Sequence, residues 1–316
     1  MPSAIVLGSC PNGLSAALTL AAKGWDVQVL EPSAFVGGVA AGEPFADGYA
    51  NVGTLHDDTL VNADFVRSLG LTDHGLELRD TPRDRWLAGD DGGIVLSSDI
   101  NATSAQIRRF SARDADHWTE WRRFMRRGAG AIRQLLTGPP PDILDSQNMR
   151  TALQVAKAAV SVRALGRDDM FELLRAMPMA ARDFAEDHFE TPLLQAGLVG
   201  PGLLGTWGGP WSPGTTTPWM LREAAGGAGI VGGPAALVRA LQSACSAAGV
   251  TVTPNAGVDQ IVMASGRAAG VRLEHGETIA ADVVMSALDP RTTLLDLIPV
   301  RHLSVRLEQQ LSVFRC

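Results

Sequence analysis

The chain has 316 residues, 46% of them hydrophobic, with a formal net charge of −7 and a pI near 5.4. That length holds one large domain or two ordinary ones around a substantial core, and the acidic balance excludes the basic footprint of a nucleic-acid-binding protein. Three scattered cysteines, Cys10, Cys245 and Cys316, exclude a C-x-x-C dithiol or a zinc ribbon and make a reducing cytoplasm the expected setting.

Lys23 and Lys157 are the only lysines, so nearly all of the 27 basic residues are Arg. Arg122, Arg123, Arg126 and Arg127 cluster, but Asp114, Asp116 and Glu120 precede them, which fits a solvated helix face better than a binding surface. The N-terminus enters a core strand within a few residues, so no signal peptide is expected. No apolar stretch reaches the roughly 18 residues of a spanning helix, Lys157 and Arg163 interrupting the nearest candidate. A transmembrane segment is therefore not expected, and peripheral membrane contact stays open.

The chain opens with Ile5-Val-Leu7, a continuous apolar run of the kind a central parallel strand requires. The turn Gly8-Ser-Cys-Pro-Asn-Gly13 follows at once. Leu14, Ala17, Leu18 and Ala21 then recur at helical spacing, with Gly24 placed to close the helix in a left-handed conformation. Asp26-Val-Gln-Val-Leu30 is the next strand and ends in Glu31, 18 positions after Gly13. This lies close to the offset of about 20 residues at which an acidic side chain meets a ribose hydroxyl. Gly8 and Gly13 hold the first and third glycine places of G-x-G-x-x-G; Cys10 holds the second, where a Cβ and a sulfur are expected to push against the path of a phosphate.

Beyond Glu31 and Pro32 stands the pair Gly37-Gly38, an ordinary turn if it stood alone, a close approach of backbone to ligand at this spacing. Leu76-Glu-Leu78, Arg85-Trp-Leu87 and Ile94-Val-Leu96 read as short strands, the last two joined by a hairpin at Asp91-Gly92-Gly93. A long helix follows, capped by Ser111, with Asp114 in its first turn and a buried stripe of Trp118, Trp121, Phe124 and Met125, ended by Pro139-Pro-Pro141. Residues 148–190 read as further helices, with Asp168-Asp169 opening one and Thr191-Pro192 opening the next. From Gly197 to Gly233 the composition predicts loops with tryptophans packed beneath them. A helical stripe of Leu237, Leu241, Ala244/Cys245 and Ala248 then ends at Gly249, followed by the strand Val250–Thr253. Cys245 is expected to be a small core residue. Val258–Met263, Gly270–Leu273 and Asp282–Ser286 form a β-meander returning to the sheet.

The expected fold is thus α/β: a Rossmann-like nucleotide domain with a parallel sheet and β-meander, interrupted by a mainly helical α+β insert. The boundaries fall at 1–75 with 230–290 for the nucleotide domain, 76–229 for the insert, and 291–316 for the start of a C-terminal region.

In this order, Gly8–Gly13, Glu31, Gly37-Gly38, Gly232-Gly-Pro-Ala-Ala-Leu237, Gly249-Val-Thr-Val and Ala281-Asp-Val-Val-Met-Ser-Ala-Leu-Asp-Pro290 resemble the phytoene desaturase and carotenoid isomerase-like flavoproteins. The resemblance is especially to the branch called pyridine nucleotide-disulfide oxidoreductase domain-containing protein 2. The resemblance spans essentially the whole chain and implies FAD as the cofactor. It implies that Gly8, Ser9, Cys10, Pro11, Asn12 and Gly13 meet the pyrophosphate, that Glu31 with Pro32 meets the adenosine ribose, and that Gly37 and Gly38 lie near the pyrophosphate and ribityl chain. The backbone of Val258 would meet adenine, and the insert would hold an apolar small-molecule substrate for flavin-mediated dehydrogenation, desaturation or isomerisation.

Two departures from that family stand out. Its members usually carry glycine where Cys10 stands, and they continue well past Cys316 with a second glycine-rich FAD motif. Three other readings therefore stand beside a flavin oxidoreductase. They are a catalytically silent relative acting as an interaction partner, one chain of a two-chain flavoenzyme whose other chain supplies the C-terminal half, and an NAD-dependent dehydrogenase. No metal ligand set and no confident catalytic acid or base is found; His56, beside Asp57 and Asp58, reads as a polar surface turn.

Overall fold

The computed structural model describes residues 1–42, 44–50, 61–79, 84–90, 92–133 and 149–314. By its internal contacts the chain divides into two units, Met1–Asp80 with Ala228–Cys316, and Thr81–Gly227. Segment 291–316 thus belongs to the first unit, where Leu297 packs into the core.

The first unit begins with β1 (Ser3–Leu7), α1 (Pro11–Ala21) and β2 (Asp26–Leu30). Pro11 at the first helical position costs no hydrogen bond and presets φ, while Gly24 at φ +81° turns the chain into β2. A hairpin of β3 (Pro44–Ala46) and β4 (Tyr49–Ala50) follows, then α2 (Ala63–Ser68), capped by Asn62. The chain leaves this unit on β5 (Leu78–Arg79).

The second unit opens on the antiparallel hairpin β6 (Arg85–Gly89) and β7 (Gly92–Leu96), in register from Arg85 opposite Leu96 to Gly89 opposite Gly92. Asp91 of the expected turn lies outside the described residues. Helices α3 (Ile100–Ile107), α4 (Ala112–Ile132), α5 (Met149–Arg163), α6 (Arg167–Ala176), α7 (Ala181–His188), α8 (Pro192–Leu203) and α9 (Thr216–Ala225) make the rest. The tryptophan stripe of α4 is core: Trp118 and Trp121 are buried, and the Trp121 ring meets Phe189 edge-on at 5.2 Å. The helix ends at Ile132, so Pro139–Pro141, outside the described residues, are not its terminator.

Asp114 does more than favour a helix dipole. Its carboxylate is fully buried and accepts the backbone N–H groups of Glu190 (2.9 Å) and Thr191 (2.8 Å), tying the start of α4 to the start of α8.

The expected loop region 197–233 is partly helical, α8 running to Leu203 and α9 covering Thr216–Ala225, and two of its glycines, Gly197 and Gly202, serve helix packing while Gly205, Gly214 and Gly226 take the positive φ of turns and caps. A methyl group at Gly197 would stand 2.3 Å from Leu87 Cδ1, and one at Gly202 would stand 2.5 Å from Trp219 Cβ. Trp219 is buried, as expected, whereas Trp207 and Trp211 are 72% and 64% exposed rather than packed beneath a loop.

The chain re-enters the first unit on β8 (Gly229–Ile230), antiparallel to β5, so its exit and return are neighbouring strands. Then come α10 (Gly233–Ala247), β9 (Thr251–Thr253), the meander of β10 (Val258–Ala264), β11 (Arg267–Leu273) and β12 (Thr278–Ala280), and β13 (Val283–Ser286). The terminal helix α11 spans Val305–Ser312. The sheet order is β13-β1-β2-β9, every pair parallel.

Both faces of this sheet are buried, which is why β1 reads as a continuous apolar run. Ala4, Val6, Val27 and Val29 pack with Leu14 and Ala17 of α1 and Leu237, Leu241 and Cys245 of α10. Ile5, Leu7 and Leu30 face Ile261, Val271 and Leu273 of the meander. Cys245 is a core residue as expected; its thiol donates to the Leu14 carbonyl oxygen at 3.5 Å, and burial pushes its pKa up to about 11.

Candidate functional site

Parallel strands end together at their carboxyl edge, so the turns after β1 and β2 lie side by side there, where open α/β sheets bind ligands. Gly8 takes φ +87°, a left-handed conformation that suits glycine, and its N–H donates to the Leu30 carbonyl at 2.9 Å. Gly13 sits so close beneath the turn that a methyl group would stand 2.0 Å from the Gly8 carbonyl oxygen. The strand-to-helix approach therefore demands glycine there. Helix α1 begins at Pro11, which has no N–H, and Leu14 N–H already reaches the Cys10 carbonyl. The amides of Asn12 and Gly13 have no protein acceptor among the described residues, as expected at an anion-binding helix start.

Three segments meet on one hydroxyl. Ser9 is fully buried; its Oγ donates to Glu31 Oε2 at 2.5 Å and accepts the Gly37 N–H at 3.0 Å. Ser9 N–H also donates to Glu31 Oε2, at 2.9 Å, and Ser33 N–H donates to Oε1 at 2.9 Å. The glycine turn, the acidic end of β2 and the glycine pair are thus one hydrogen-bonded assembly.

Gly37 (φ +128°) and Gly38 (φ +54°) both need left-handed conformations. A methyl at Gly37 would lie 2.9 Å from both methyls of Val238 on α10, and one at Gly38 would lie 3.1 Å from Cys10 Cβ. Val238 carried no sequence signal beyond its place on a helical stripe. Ala287 and Leu288, which line the underside of Gly13 and Gly8, lie in the Ala281–Pro290 segment, yet their contacts are tertiary.

Cys10 departs from the expectation for its side chain. Its backbone, at φ −61° and ψ 166°, is open to any L residue, and its Sγ lies 3.9 Å from the Ala287 carbonyl oxygen, turned to the end of β13. Pro11 is half-buried at the helix start, and Asn12 and Pro32 are exposed. Val258 is half-buried at the head of β10. Its approach is set by backbone bonds in which Glu31 N–H donates to the Thr253 carbonyl, Ala256 N–H donates to the Glu31 carbonyl and Asn255 N–H donates to the Ser33 carbonyl, clasping the β9–β10 connection to the end of β2. His56, Asp57 and Asp58 lie outside the described residues. Among the described residues no cluster of metal ligands occurs, and no helix is long and apolar enough to cross a membrane.

The site fits the adenosine and pyrophosphate end of a dinucleotide. A carboxylate offers about four lone-pair positions. Ser9 occupies two on Oε2 and Ser33 one on Oε1, leaving one open on Oε1.

A family model described as flavin containing amine oxidoreductase matches residues 12–311. The chain is similar to pyridine nucleotide-disulfide oxidoreductase domain-containing protein 2 of Rattus norvegicus, at 29% identity over 94% of this chain and 55% of the relative. It is also similar to hydroxyneurosporene desaturase of Rubrivivax gelatinosus, at 28% identity over 89% of this chain and 52% of the relative. The chain thus spans about half the length of these curated relatives. Among solved structures, a redesigned putrescine oxidase matches with a TM-score of 0.62 at 14% identity, over 98% of this chain and 63% of that one. A protein from Pyrococcus furiosus matches with a TM-score of 0.61 at 16% identity, over 99% and 66%.

Proposed function

Because the chain belongs to the flavin containing amine oxidoreductase family, whose cofactor is FAD, we propose that it acts as a flavin-dependent dehydrogenase, desaturase or isomerase on an apolar small molecule. The observation that carries this reading is the convergence of the glycine turn, Glu31 and the Gly37-Gly38 pair on the Ser9 hydroxyl. The named desaturase among its relatives supports the apolar substrate class.

In this reading the Asn12 and Gly13 amides hold the pyrophosphate at the positive end of α1, and Glu31 Oε1 accepts a ribose hydroxyl. Gly37 and Gly38 let backbone approach where a side chain would intrude. FAD, when bound, supplies the hydride-accepting centre, and the protein supplies orientation and exclusion of water. Hydride transfer to a flavin need not use a strong base, and none is assigned among the described residues. The two free described cysteines are consistent with a reducing cytoplasm as its compartment.

The test is the visible spectrum of the purified chain, before and after addition of FAD. A flavin band retained through gel filtration is expected. A chain that carries none and gains none would overturn the proposal, and release of NAD instead, identified by mass after cofactor extraction, would favour a nicotinamide dehydrogenase.

One further observation favours a second arrangement. The chain spans 55% of its rat relative; in a two-chain flavoenzyme a second polypeptide would carry the remainder of that length.

A further inference from the structure

We propose that Ser9 is a positioning residue rather than a ligand: its buried hydroxyl fills one acceptor position of the Glu31 carboxylate and so leaves a single one for the ribose of the adenosine moiety. The inference rests on the FAD reading and deepens it.

Glu31 is 6% exposed, and among the described residues the polar groups meeting its carboxylate are Ser9 N–H, Ser9 Oγ and Ser33 N–H. Without the hydroxyl, Ser9 N–H on Oε2 and Ser33 N–H on Oε1 would still hold the carboxylate, but each oxygen would keep one open acceptor position. The hydroxyl is the second donor on Oε2 and closes that oxygen. The remaining acceptor position is then on Oε1, beside Ser33 and at the open edge of the sheet.

The same Oγ uses one of its lone pairs to accept the Gly37 N–H, so the register of the second glycine turn is set from the same atom. Ser9 has no exposed surface with which to touch a ligand itself. A plain structural serine would stabilise the turn without affecting which hydroxyl a nucleotide must carry. A positioning serine would affect that choice.

The experiment uses the full chain, freed of flavin, with ADP, 2′-deoxy-ADP and 3′-deoxy-ADP as probes in calorimetric titrations. The wild type should prefer ADP over one of the deoxy analogues by roughly tenfold, as expected for a hydrogen bond to a charged group. Ser9→Ala should reduce that preference to less than about threefold, because a second acceptor position opens on Oε2 while the two backbone donors still hold the carboxylate. Ser9→Cys, nearly the same size but a weak donor, should do the same and carries the test if Ser9→Ala does not fold. Glu31→Gln provides the reference loss.

A folded Ser9→Ala or Ser9→Cys variant that keeps the wild-type preference overturns the proposal. A wild type with no preference for ADP over either analogue overturns the Glu31–ribose contact itself, and the proposal with it. The FAD titration of the wild type is scored separately, so that failure of the cofactor reading is distinguishable from failure of the role given to Ser9.

Discussion

Gly13 and Cys10 differ in what their positions demand. At Gly13 any side chain would meet the Gly8 carbonyl oxygen at 2.0 Å, a backbone atom held by the sheet. Gly13→Ala is therefore expected to destabilise the nucleotide unit by about 1–3 kcal/mol, the usual cost of forcing an extra methyl into a packed site, and to abolish FAD retention. Urea denaturation and a flavin titration check both outcomes; an unchanged midpoint would contradict the close approach. At Cys10 the backbone needs no glycine, and the sulfur is turned to Ala287. The sequence alone suggests that Cys10→Gly should tighten FAD binding. The observed rotamer instead predicts affinity within about threefold of wild type, with a small loss of stability from added chain entropy. A tenfold gain in a flavin titration would show that the thiol does obstruct the phosphate.

Helices α4, α6 and α7 meet at a histidine pair that no sequence motif announces. His188 Nδ1 lies 3.0 Å from His117 Nε2, and its Nε2 lies 3.3 Å from Glu172 Oε1. The imidazole also packs edge-on to Phe184 at 4.7 Å. Burial pushes the His188 pKa below the ordinary 6.5, with His117 acting in the same direction and Glu172 opposing both. The unfolded chain then binds the proton more readily than the folded one. This contribution is complete above the ordinary value and is lost as pH falls below 6.5 through the folded value. Glu172 stays ionised across that window, because Arg175 holds its carboxyl below the usual range. The urea midpoint should therefore drop from about pH 7.5 to about pH 5.5, and His188→Gln should flatten the slope. Equal slopes in the two proteins would remove His188 as the cause.

At the scale of the whole molecule, the first unit brings the glycine turn, Glu31 and the Gly37-Gly38 pair together at one sheet edge, and the chain spans 55% of its rat relative. In the two-chain arrangement proposed above, adding a polypeptide that carries the remainder of the relatives' length is expected to raise flavin-dependent turnover at least about tenfold over the chain with FAD alone. Equal turnover with and without the added polypeptide would show that the described chain suffices.

Local pattern determined much of this protein. The apolar run of β1, the helical stripe of α1, Glu31 at the end of β2 and the Ser111 cap of α4 are legible because each depends on residues near in sequence. Tertiary structure decided the rest. The glycines of α8 look like turn residues until Leu87 and Trp219 are seen against them. The direction of the Cys10 sulfur depends on Ala287, 277 positions away. Ser9 looks like a spacer between glycines; only folding brings the end of β2 and Gly37 to its hydroxyl. The physical reason is that a buried polar atom must find its partner wherever the chain's packing places one.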